Sequence, residues 1–420
     1  MKEKLSRSIT TLGFSVLAIN GFIGAGIFLL PAAAAESTGS FSPWMFVICG
    51  LLMSTIVLSF AQLASYYRGT GGPVLYANEA FGPLVGFQTG WLLYVGRVTA
   101  LAANSNALII YLSFLFPIFS DGIMHGFALS AVILLLTASN VFGVRSAMGT
   151  ISVLTFLKLA PLLLFIVVGL AWIDVDQIFS VKDAPLDKVS TSLLLLVYAF
   201  VGFEGAVVPA GEAKDPKKSI PRALIQSVIF TIILYFLVQS ITVSVLEQAG
   251  SSKAPLSDAA GVMFGSWGVL LLTITAILSI TGNLAATFFA APRMTYALAN
   301  EKSLPAWFGK INEKYKVPAN SIYFMSALAL VLAISGSFVW LAIISSLARL
   351  IGFAVCMLAL IKLKSKQDGL VEKVLQMFVP LLGLSVCIWL STQASNQAWM
   401  LTLGFIVLGT GLYYLARIKR

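Results

Sequence analysis

Four ionisable side chains stand inside long apolar runs: Arg97, Lys158, Glu204 and Arg349. A charge at membrane depth costs from a few to more than about ten kcal/mol, so such residues serve a partner, a proton relay or a ligand path. Lys158, in ISVLTFLKLAPLLLF, lies about ten residues into its run, roughly 15 Å deep, where its stem does not reach the interface easily. A lysine held there relieves the cost by giving up its proton. It is therefore a candidate proton-coupling group; the competing reading is a permanently charged pin between helices. Glu204 is the one carboxylate near the middle of a run. It suits a gate, a proton carrier or a partner for a cation. Arg97, roughly 16 Å deep, is a candidate to pair with it. An arginine does not readily deprotonate, so Arg97 needs that carboxylate, solvent or substrate. Arg349, in SSLARLIGF, is read as structural, held by backbone carbonyls of a neighbouring helix.

A second chemistry comes from the backbone. The stretch INGFIGAGIFLLP packs Gly21, Gly24 and Gly26 into six positions, and YAFVGFEGAVVPAGE sets Gly202 and Gly205 around Glu204. Each glycine weakens a helix by about 1 kcal/mol relative to alanine. Unwound backbone at membrane depth is tolerated only where it lines a cavity or is covered by protein. A break there frees amide N–H groups, and the half-helix that follows adds a partial positive charge. Together they hold a carboxylate without a formal charge. Small residues that simply let helices pack closely are the blander reading. Two interruptions at corresponding places favour inverted repeats around a midplane site. Asn104, Asn106 and Asn283 are further polar candidates for that path, and Tyr198 and Phe200 are placed to close over it.

The elements that must carry these groups are spanning helices. Of 420 residues, 59% are hydrophobic and 10% charged, against about 25% charged in a soluble domain. Runs of about 20 apolar residues number twelve: one repeat of five over about 11–172, a second over about 190–361, and two extra helices over about 371–416, all in a single transmembrane domain. The apolar run from Thr11 to Ala35 is too long for a signal-peptide core and reads as a retained span. With the N-terminus inside, 21 of the 27 Lys and Arg residues fall in cytoplasmic segments, and only Lys182, Lys188 and Lys253 in the opposite loops. This bias sets both termini in the cytoplasm and accounts for the net charge of +10 without nucleic acid. Three cysteines in apolar runs (Cys49, Cys356, Cys387) and a lone His125 show no metal spacing and no disulfide framework. No cofactor is expected.

Several pieces, in order, resemble the amino acid–polyamine–organocation permeases: GFIGAGIFLLP, GTGGPVLYANEAFGP, GFEGAVVPAGEAKDPKKSIPRAL, YALANEKSLPAWFGKIN and SSLARLIGF. The likeness spans almost the whole chain and takes in the arginine–agmatine antiporter and proton-coupled amino acid transporter branches. It implies an all-α five-plus-five inverted repeat with broken helices one and six, and a substrate held between helices one, three, six, eight and ten. It implies that backbone N–H groups of Ile23, Gly24, Ala25 and Gly26 bind the substrate carboxylate. Carbonyls of Tyr198, Ala199 and Val201 would take the amino group. It gives Lys158 a place where an ion binds in sodium-coupled relatives, with its ammonium bridging helices one and eight, and gives Glu204 a link between substrate and proton. Arg97 is outside the family pattern.

The expected function is secondary active transport of amino acids by alternating access, coupled to protons and leaning to neutral L-amino acids because Arg97 is available to neutralise Glu204. The alternative is an exchanger of cationic amino acids or polyamines, drawn by Glu204. An integral membrane enzyme would need an acid, base or metal cluster such as H-E-x-x-H, and a pump a G-x-x-x-x-G-K-[ST] loop; neither motif is present. The expected location is a bacterial inner membrane, with the amino acid, protons and lipid as partners.

Overall fold

The computed structural model describes residues 9–67, 71–142, 148–179, 186–364 and 370–418. Lys2, Lys4, Arg7, Arg68, Arg145, Lys182, Lys366, Lys419 and Arg420, used above for orientation, lie outside the described residues. Apart from one isolated bridge between Ile9 and Ala213, the regular structure described is helical. In chain order the α-helices are α1 (Thr11–Phe22), α2 (Gly26–Thr38), α3 (Ser42–Tyr66), α4 (Pro73–Phe81), α5 (Pro83–Leu115) and α6 (Gly122–Val141). Then come α7 (Met148–Gly169), α8 (Val175–Phe179), α9 (Leu186–Val197), α10 (Glu204–Val207), α11 (Pro216–Val245) and α12 (Pro255–Phe264). The last are α13 (Ser266–Asn300), α14 (Ala319–Ser335), α15 (Phe338–Lys364), α16 (Leu370–Thr392) and α17 (Asn396–Ile418).

Eight described helical stretches are long and apolar enough to cross a membrane, and four shorter apolar helices accompany them. Leu135, Phe156, Val331, Phe378 and Val407 are exposed on the outer surface. A water-soluble surface rarely carries apolar area on this scale, whereas lipid solvates it. The polar groups turn inward instead, where a polar side chain needs a partner.

Chemistry at the helix ends follows local rules. Thr10 caps α1 by accepting from the Gly13 N–H at 3.3 Å, and Asp121 caps α6 by accepting from the Met124 N–H at 3.2 Å. Prolines open α3, α4, α5, α11 and α12, where the missing N–H costs nothing. Close contacts then set the site. Gly96 of α5 lets α15 approach so near that an added Cβ would lie 2.9 Å from Arg349 Cγ, and the Ser345 hydroxyl of α15 donates to the Gly96 carbonyl at 2.7 Å. Beneath the second helix break, Phe60, Phe203 and Phe353 form an aromatic triangle with centroids 5.2–5.5 Å apart, a geometry worth more than its buried area alone.

Candidate functional site

Both glycine-rich stretches are breaks. The first separates α1 from α2: Ile23 leaves helical geometry at ψ 88, and the Gly24 N–H turns back to the Phe22 carbonyl at 3.1 Å. The amides of Ala25 and Gly26, buried at the start of α2, have no acceptor among the described residues. Four such groups are left over at any helix N-terminus. The second break runs from the short 3-10 turn Tyr198–Phe200 through an extended Val201 to Gly202 at φ +105, after which α10 begins. That φ suits glycine and strains other residues. The breaks touch: a Cβ on Gly21 would lie 2.6 Å from the Gly202 carbonyl oxygen, and one on Gly202 would lie 2.4 Å from that of Gly21.

Tyr235 of α11 braces both. Its hydroxyl lies 2.8 Å from the Phe22 carbonyl and 3.1 Å from that of Ala199. The single O–H is shared between them, and removing it in Tyr235→Phe leaves a buried carbonyl without its donor, at about 1–3 kcal/mol. A lowered thermal midpoint of the detergent-solubilised protein is the expected outcome, and an unchanged midpoint would show that the brace carries no stability.

A cavity of about 320 Å³ lies between the breaks, α5, α13 and α15. Of the residues expected at the site, Gly24, Ala25, Gly26, Arg97, Tyr198, Val201 and Glu204 line it. Ile23 and Ala199 do not: the Ile23 carbonyl accepts from Lys158 and the Ala199 carbonyl from Tyr235. Phe200 packs on Tyr235 at 5.2 Å instead of closing the cavity. Tyr198, Asn104 and Asn283 form a chain across it, with the Tyr198 hydroxyl donating to Asn104 at 2.7 Å and Asn104 donating to Asn283 at 2.9 Å. Asn106 is elsewhere, donating to the Ala333 carbonyl at 3.0 Å and facing His125.

Three expectations about the buried charges also change. Glu204 pairs with Arg349, Oε1 to Nε 3.3 Å, and not with Arg97. Arg349 is held by that carboxylate and by the Ser345 hydroxyl at 2.9 Å, in place of backbone carbonyls. The cause is the Gly96 contact, which brings α15 over α5 and puts the guanidinium above the second break. The other Glu204 oxygen, Oε2, accepts from the Gly202 N–H at 2.7 Å. Lys158 of α7, expected to bridge the first and eighth spans, finds its acceptors on the first span alone among the described residues, at the end of α1 and at the break: Asn20 Oδ1 at 2.8 Å, Asn20 O at 3.4 Å and Ile23 O at 2.5 Å. Asn20 and Tyr235 were not singled out from the sequence. Their signal was a polar tip within an apolar run.

The family model described as "Amino acid permease" matches residues 9–414. Among similar proteins, a methylthioribose transporter of Bacillus subtilis (strain 168) is 24% identical, covering 98% of this chain and 94% of its own. The branched-chain amino acid permease BcaP of the same organism is 24% identical over 99% and 94%. The arginine/ornithine antiporter ArcD2 of Lactococcus lactis subsp. cremoris (strain MG1363) is 27% identical over 77% and 71%. With helix breaks, a cavity and a family model that all coincide, the chain is an integral membrane protein that belongs to the amino acid permease family of the amino acid–polyamine–organocation superfamily.

Proposed function

We propose that the protein is a secondary active transporter that moves a free amino acid across a bacterial inner membrane by alternating access, coupled to protons. The observation that carries this reading is the meeting of two unwound segments around one cavity, with bare amides of Ala25 and Gly26 on one side and the Tyr198 and Val201 carbonyls on the other. A zwitterion needs such a pair of poles, and α2 adds its dipole on the carboxylate side.

Split at the Gly39–Phe41 turn, with α1 joined to α2 and α9 to α10, the apolar helices total twelve. This supports repeats over about 11–172 and 190–361 and two further helices, with both termini in the cytoplasm. Lys158 is the proposed proton carrier: charged, it donates to the side-chain and backbone oxygens of Asn20 and to the Ile23 carbonyl, clamping α7 to the first break. Loss of the proton removes a donor and the charge, and frees the break to move. Glu204 serves as a positioning anchor for Gly202 in this reading. Its charge is balanced by Arg349 and its Oε2 accepts from the Gly202 N–H, so it offers little net charge to a cationic substrate, which weakens the exchanger alternative.

The test is uptake into proteoliposomes of a labelled amino acid panel with and without an inward proton gradient. Uptake that rises with the gradient in the parent and is slow and pH-independent in Lys158→Ala is the expected result. Gradient-independent uptake in the parent overturns the proton coupling, and no amino acid uptake at all overturns the transporter reading.

A further inference from the structure

The ionisable side chains of the cavity wall are Arg97, Arg349 and Glu204, apart from the phenol of Tyr198. The charge of Glu204 is paired with Arg349, whose Nε lies 3.3 Å from Oε1 without a hydrogen bond, and its Oε2 accepts from the Gly202 N–H. Arg97, on α5, is left with neither a carboxylate nor a hydrogen-bond acceptor among the described residues, and its Nε is sealed from solvent. Its guanidinium lies against the second break, with Nη2 3.3 Å from where a Cβ on Gly205 would stand. An arginine stays charged, and an uncompensated cation in a low-dielectric wall is costly. Two cations thus face one carboxylate, and the wall holds a surplus positive charge.

We propose that Arg97 receives an anionic side-chain group of the substrate, so that the preferred cargo is an acidic α-amino acid of the aspartate or glutamate class. This deepens the transporter reading and rests on it. The α-carboxylate sits at the start of α2, the ammonium at the second-break carbonyls, and the side-chain carboxylate at the planar Arg97 fork, which matches its geometry. An acidic amino acid carries one net negative charge and cancels the surplus. A neutral zwitterion leaves the surplus standing, and a cationic one doubles it. The cavity, about 320 Å³, is at the small end of ligand pockets and suits a single amino acid.

The experiment measures uptake of labelled glutamate, aspartate, leucine and arginine by the full-length protein in proteoliposomes, and repeats it with Arg97→Gln and Arg97→Lys. In the parent, glutamate or aspartate is expected to give the highest kcat/KM and to outcompete leucine. Arg97→Gln should lower acidic kcat/KM about 30-fold or more relative to that for leucine, and Arg97→Lys should retain part of the acidic preference. A parent that prefers leucine or arginine, or an Arg97→Gln variant that slows every substrate equally, overturns the inference and leaves the transporter reading intact. Absence of any amino acid uptake sinks both. If Arg97→Gln fails to fold, the competition series on the parent decides by itself.

Discussion

Replacing Gly202 by alanine is expected to reduce amino acid uptake in proteoliposomes to about 1% of the parent or less, with the protein still present in the membrane. Two independent penalties act at this position. The residue holds φ +105, where an L side chain is strained by about 1–3 kcal/mol. The new Cβ would also stand 2.4 Å from the Gly21 carbonyl oxygen, a backbone atom of the other break that has no rotamer by which to yield. One break must move off the other, and a displacement of about 1 Å at a positioned site costs on the order of 100-fold in rate. Gly21→Ala should behave in the same way, since its Cβ would meet the Gly202 carbonyl at 2.6 Å. Gly404→Ala in α17, with nothing within 4 Å of the new methyl, is the control and should transport normally. Equal activity of Gly202→Ala and Gly404→Ala would mean that the contact between breaks does not matter to transport.

The second large effect concerns the buried ion pair. Arg349→Met leaves Glu204 in a wall where its side chain is 2% exposed, and breaking a buried pair from one side costs about 3–5 kcal/mol. The expected outcome is a marked loss of thermal stability in detergent together with loss of uptake. The double variant Arg349→Met, Glu204→Gln removes the stranded charge, so it should recover a large part of the lost stability. It should not recover transport if Glu204 must hold the Gly202 amide as an anion. A double variant no more stable than Arg349→Met alone would show that the pair is not what holds these helices in register.

Much of this molecule is local, and locality is legible in a sequence. Long apolar runs dictate helices in lipid because an unpaired peptide group there costs several kcal/mol. The clusters around Gly24 and Gly202 announced breaks because glycine is the weakest ordinary helix former, and the helices do part at Ile23 and after Val197. The partners of the buried charges were not local. Arg97 and Arg349 both sit mid-run, far from Glu204 along the chain, and nothing in their spacing ranks one above the other. Only the approach of α15 over Gly96 assigned the carboxylate to Arg349 and left Arg97 facing the cavity. In the same way, packing alone turned Lys158 to Asn20 and Ile23, and brought the Tyr235 hydroxyl to both breaks at once. Helix and break are written in neighbouring residues; an ion pair across three helices depends on side-chain volume at the crossing points, which exists only once the helices have packed.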